Sequence, residues 1–108
     1  MSQAEINELV ATLEELIDLF ESVGDAGWTG RLREFLSHDD IDLRKLLSWY
    51  VVMDGLNDRL IMKYNGDKVE EADEDKINAR LKALTSRVYE LARELDREAQ
   101  RAPRSPTC

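Results

Sequence analysis

The chain has very little of what catalytic chemistry is built from. It holds one cysteine and one histidine in 108 residues. Cys108 is the last residue and can close no internal disulfide, which fits a reducing cytoplasm. His38 has no second histidine or cysteine at ligand spacing, so a solvated loop residue is expected there and not a metal ligand. A Ser/His/Asp or Cys/His nucleophile set cannot be assembled from this inventory. No glycine-rich phosphate loop occurs. No catalytic residue, metal or cofactor is therefore expected. Two prolines, five glycines and 6% aromatics argue against a sandwich of many short strands. No run reaches the ~18 apolar residues a membrane span needs. The opening MSQAEINELV has no basic region followed by an apolar one, so no secretory signal is expected.

What the chain does have is helical spacing and unevenly distributed charge. Its length predicts one domain over 1–101 followed by a loose tail, 102–108, which Pro103 and Pro106 keep from continuing a helix. Ile6, Leu9, Val10, Leu13, Leu16, Ile17, Phe20 and Val23 recur at helical spacing and predict a helix over 3–23, with Ser2-x-x-Glu5 as its capping box. Gly24 ends it. Thr29 is the expected cap of a short second helix to Ser37, and Trp28 an anchor in the core. Asp42 is the expected cap of a third helix, Leu43 to Met53. Its second half is apolar on nearly every face, which predicts that it is the central helix. Asp54 to Asp58 breaks the run. Asn65-Gly66 is a turn signal, and its flanks allow a small hairpin pairing Leu60–Tyr64 with Asp67–Val69. The acidic stretch Asp67 to Asp75 reads as a loop. Asp73 or Asp75 then caps a last helix to Arg101, with Ile77, Leu81, Leu84, Val88, Leu91 and Leu95 as its stripe. The expected fold is all-α: a four-helix, bundle-like domain with one short helix and room for a small hairpin at 60–69.

The formal charge is −8. Residues 1–27 carry seven acids and no lysine or arginine, and residues 67–75 carry six acids against one lysine. Residues 76–101 reverse the balance, with seven basic residues against four acids. A net negative field disfavours nucleic acid and anionic membranes and favours a basic partner. Paired carboxylates are the one route to chemistry. Glu15-x-x-Asp18 and Asp18-x-x-Glu21 have the spacing by which all-α nucleotide pyrophosphatases hold magnesium, although such spacing is common on any solvated helix face. That enzyme, and a homodimeric module joined along the Ile77–Leu95 stripe, are the alternatives to a binding protein.

The segment Gly27-Trp28, then Gly55-Leu56-Asn57-Asp58-Arg59-Leu60, Asn65-Gly66, Asn78, and Tyr89-Glu90-Leu91-Ala92 resembles a family of small bacterial all-helical domains of unknown function. The likeness covers about residues 13–95. Where the family has a Gly-Met-Gly-Ser run, this chain has Val52-Met53-Asp54-Gly55. The family brings no established activity. The resemblance implies a small cytoplasmic protein of the immunity type, binding and neutralising a basic toxin or effector. The partner-binding residues expected on that basis, and from the polar turn and the acidic loop, are Asp54, Asn57, Asp58, Tyr64, Asp67, Glu70, Glu71 and Glu74. The chain is expected to be a monomer or a homodimer.

Overall fold

A computed structural model describes residues 3–38, 41–50 and 60–101. The expected end of the third helix, the turn holding Asp54, Asn57 and Asp58, the Ser2 cap and the 102–108 tail lie outside these residues. Among the described residues the fold is all-α, with four α-helices and no strand.

Two long helices form its frame. α1 spans Gln3–Ser22 and α4 spans Glu74–Arg101. Ion pairs Glu8–Arg87 and Glu15–Arg80 show that they run antiparallel. Leu9, Leu13, Leu16 and Phe20 of α1 are fully buried, with Leu81, Val88, Leu91, Ala92 and Leu95 of α4 among the buried core. The α4 stripe is thus covered within the chain, leaving only Ile77 half-buried. Of this stripe only Ile77 keeps apolar surface that a second copy could cover. The ion pairs are half exposed and contribute at most about 1 kcal/mol each. Burial of the apolar stripe holds the two helices together more strongly than these pairs do.

α1 ends because Gly24 takes φ 81°, a conformation cheap only for glycine. Asp25 N–H donates to Phe20 C=O and Gly24 N–H to Glu21 C=O, at 2.9 and 3.1 Å. These are the two bonds of a Schellman cap. A Cβ on Gly24 would only touch the Lys68 side chain, at 3.4 Å, so the constraint there is the backbone angle and not space.

α2 spans Ala26–Ser37 and is capped by Asp25, whose Oδ1 accepts Trp28 N–H at 3.0 Å. The helix therefore begins earlier than the expected Thr29 cap, and Thr29 lies buried inside it. α3, Leu43–Ser48, is capped by Asp42 as expected: its Oδ1 accepts Lys45 N–H at 3.0 Å. It is only six residues long, and the role of central helix passes to α1 and α4. Beyond it, Trp49 and Tyr50 divide between two neighbours. The Trp49 ring meets Trp28 edge-on at 5.6 Å and Phe35 at 5.5 Å, both on α2. The Tyr50 ring meets Tyr89 of α4 at 4.9 Å, and its hydroxyl donates to Thr85 C=O at 2.5 Å.

Burial, with the neighbouring Tyr89 a smaller cause, pushes the Tyr50 hydroxyl well above its ordinary value. The phenol is therefore held neutral in the fold. An unfolded tyrosine ionises near pH ~10, so above that pH the unfolded chain sheds a proton the folded chain keeps. Stability should fall as pH rises through this window. Tyr50→Phe should flatten the alkaline limb of a stability–pH curve, and an unchanged limb would remove Tyr50 as its source.

Candidate functional site

The segment that follows, residues 60–73, carries the exposed apolar surface. Among the described residues the large hydrophobic side chains left exposed are Leu60, at 57%, and Tyr64, at 92%. Between them Ile61 is fully buried. A buried isoleucine beside an exposed tyrosine requires the backbone to be fixed, and the bonds that fix it are present.

Asn78 of α4 holds Ile61 at both main-chain groups. Ile61 N–H donates to Asn78 Oδ1 at 2.7 Å, and Asn78 Nδ2 donates to Ile61 C=O at 2.8 Å. One turn earlier on the same helix, Glu74 accepts Lys63 N–H at 2.9 Å. Spacing of four residues puts both side chains on one face of α4. Within the segment Asp67 Oδ2 accepts Met62 N–H at 2.9 Å, and Asp67 N–H donates to Met62 C=O at 3.3 Å. Lys63–Asn65 form a 3-10 turn closed by Gly66, which takes φ 90°. The far end is tied to α1: Lys68 N–H donates to Val23 C=O at 2.8 Å, filling a carbonyl the helix end leaves open.

These bonds replace the expected hairpin. Asn65-Gly66 does make the turn, but beyond the Met62–Asp67 bonds its flanks pair with α4 and with α1, and they form no strands. Nor is 67–75 a plain loop: Glu71–Asp73 form a second 3-10 turn, and α4 has begun by Glu74.

The expected partner-binding residues separate into three groups. Asp54, Asn57 and Asp58 lie outside the described residues. Asp67 and Glu74 use carboxylate oxygens to hold the loop backbone. Tyr64, Glu70 and Glu71 are exposed, as are Asp73 and Asp75 nearby. The structure thus brings Tyr64 together with Asp67 and Glu74 and follows them with a run of exposed carboxylates. In the sequence Asn78 stood out only as part of the family likeness, without a role. The signal available was an uncharged amide four residues after Glu74 on the last helix, beside an apolar stripe that does not include it.

The carboxylates of the magnesium alternative do not converge. Glu15 pairs with Arg80 at 3.7 Å and Asp18 is exposed. Glu94 pairs with Arg97 and lies near Glu5. Glu5 and Glu15 are separated by ten residues of helix, about 15 Å. Among the described residues no group of three His, Cys, Asp or Glu could hold a metal ion. At the Glu5 end, partial desolvation and the charges of Glu98 and Glu94 push the Glu5 carboxyl above its ordinary value, and a hydrogen bond with Glu98 adds to this. An open cleft of about 540 Å³ beside it is lined by Glu5, Glu8, Arg87 and Arg97. Its charges of both signs largely pair with each other.

The chain matches no protein-family model, no curated protein and no solved structure. Among the described residues no helix is long and apolar enough to cross a membrane. The geometry of the 60–74 segment is what remains to indicate a function.

Proposed function

We propose that this chain is a non-catalytic acidic interaction protein that docks a basic protein through residues 60–74. The observation that carries the reading is Tyr64, 92% exposed on a loop whose backbone is tied down on both sides. A ring held this far out on a braced loop is free to fill a partner's pocket, where its burial would stabilise a complex. Tyrosine is enriched at binding hot spots, and a braced loop loses little entropy on docking. Leu60 adds exposed apolar area in the same segment. Glu70, Glu71, Asp73 and Asp75 supply the field that steers a positively charged surface toward the ring. The family likeness narrows the partner to a basic toxin or effector and the role to an immunity-type protein, acting in the cytoplasm by occluding its target.

The direct test pairs the purified chain with the product of the adjacent reading frame. Tyr64→Ala should weaken the complex by about 2 kcal/mol or more, mainly through faster dissociation. Reversing Glu70 and Glu71 together should instead slow association and flatten its salt dependence. A complex indifferent to both changes, or turnover of a small substrate that Glu15→Ala abolishes, would remove the proposal.

A further inference from the structure

The Asn65–Gly66 bond sits at the tip of the braced loop, beside Tyr64. In this dipeptide the glycine nitrogen is unusually free to attack the amide carbon of the preceding residue, because glycine places no Cβ in the way. We propose that Asn65–Gly66 is a self-modification site whose reaction is gated by the bonds that hold the loop closed. In the reaction the Gly66 nitrogen gives its proton to solvent base and bonds to Cγ of Asn65. The Cγ–Nδ2 bond breaks, and the nitrogen takes up one proton from water and leaves as ammonia. Water then opens the resulting cyclic imide at either carbonyl, giving aspartate or isoaspartate.

The gate is visible in the backbone. Gly66 N–H, the nucleophile in waiting, donates to Lys63 C=O at 3.0 Å and is fixed at φ 90°, ψ 4°. The next amide, of Asp67, is also engaged, with Met62 C=O. Behind them stand the Glu74 bond to Lys63 N–H and the two-point Asn78 hold on Ile61. Gly66 itself is exposed, so water and base reach it. Attack requires Gly66 to give up its hydrogen bond and rotate. The rate therefore follows the population of the locally opened loop, not that of the globally unfolded chain.

The product differs from the starting loop in two ways. It carries one more negative charge next to Tyr64, and its isoaspartyl form routes the main chain through an extra carbon. The latter cannot keep the Gly66 and Asp67 hydrogen bonds in register. The chemistry stands without the docking reading; only its consequence, an aged chain with a displaced Tyr64 and altered affinity, rests on that reading.

The test needs no partner. The full chain is held at mildly alkaline pH, well below its melting temperature, and mapped by mass spectrometry that separates aspartate from isoaspartate. Conversion at residue 65 should outrun that at Asn7 and Asn78. It should speed up several-fold in Glu74→Ala and in Asn78→Ala, each of which loosens the loop by a different route. Leu9→Ala weakens the core fourteen residues of helix, about 21 Å, from the Val23 tie, and should leave the rate near the wild-type value. No conversion at 65 in either loop variant would overturn the proposal. So would equal rates in all chains, or acceleration by Leu9→Ala as large as that by the loop variants.

Discussion

Phe20→Ala should destabilise the protein by about 3–5 kcal/mol, the range for removing a buried phenylalanine and leaving its cavity. The upper part of that range is expected for two reasons. Phe20 is fully buried, and its ring stacks on Trp28 at 6.1 Å. Trp28 in turn meets Trp49, and Trp49 meets Phe35. The four rings join α1, α2 and the end of α3. Deleting Phe20 opens a cavity where three elements meet, and rings of this size cannot collapse into it without moving a helix. Folded stability is commonly about 5–15 kcal/mol, so this one change removes a large share of it. Urea unfolding followed by tryptophan fluorescence measures the loss directly, since both tryptophans sit in the cluster. A loss below about 1 kcal/mol would mean that the cluster is not packed as described.

Asn78→Leu should cost about 2–4 kcal/mol. The reason is not lost packing, because leucine is as large and more apolar. It leaves Ile61 N–H and C=O without partners in a half-buried setting, and each orphaned group costs about 1–3 kcal/mol. Asn78→Asp separates the two bonds. Its carboxylate still accepts from Ile61 N–H but faces Ile61 C=O with no donor. Once protonated, the acid can donate again. The deficit of Asn78→Asp should therefore be large at neutral pH and shrink on acidification, whereas that of Asn78→Leu should stay constant. Parallel pH dependence in the two variants would show that the two-point hold is not what fixes Ile61.

Helices α1 and α4 were legible in the sequence because their apolar residues repeat at 3.6 over five turns or more. Repetition of that length leaves no other period to compete. α3 was harder. Its run from Leu46 through Trp49 and Tyr50 is apolar on every face, and a pattern with no polar side cannot mark where a helix stops. The structure shows why both faces are apolar: Trp49 serves α2 and Tyr50 serves α4. For α2, Thr29 was the expected cap, with Asp25 part of the preceding turn. The chain uses Asp25, whose carboxylate reaches Trp28 N–H, and buries Thr29. Asn65-Gly66 announced a turn and delivered one, but turn chemistry says nothing about where the flanks find partners. Here they find Asn78 and Glu74, more than ten residues away, and Val23 on α1. The division between steering and bracing carboxylates was likewise unreadable. Asp67 and Glu70 look alike in a string of acids, and only the folded backbone sets an N–H against one of them.

The backbone bonds of the loop have a further effect on how copies of the molecule meet one another. Main-chain donors from Ile61 to Lys63 and from Gly66 to Val69 are all spoken for within the chain. An oily tip with open donors would be a template for strand-to-strand stacking and, in a crowded cell, for fibres. With these donors filled, two tips pressed together by crowding meet mainly through side chains. Contacts of that kind are short-lived and come apart on dilution.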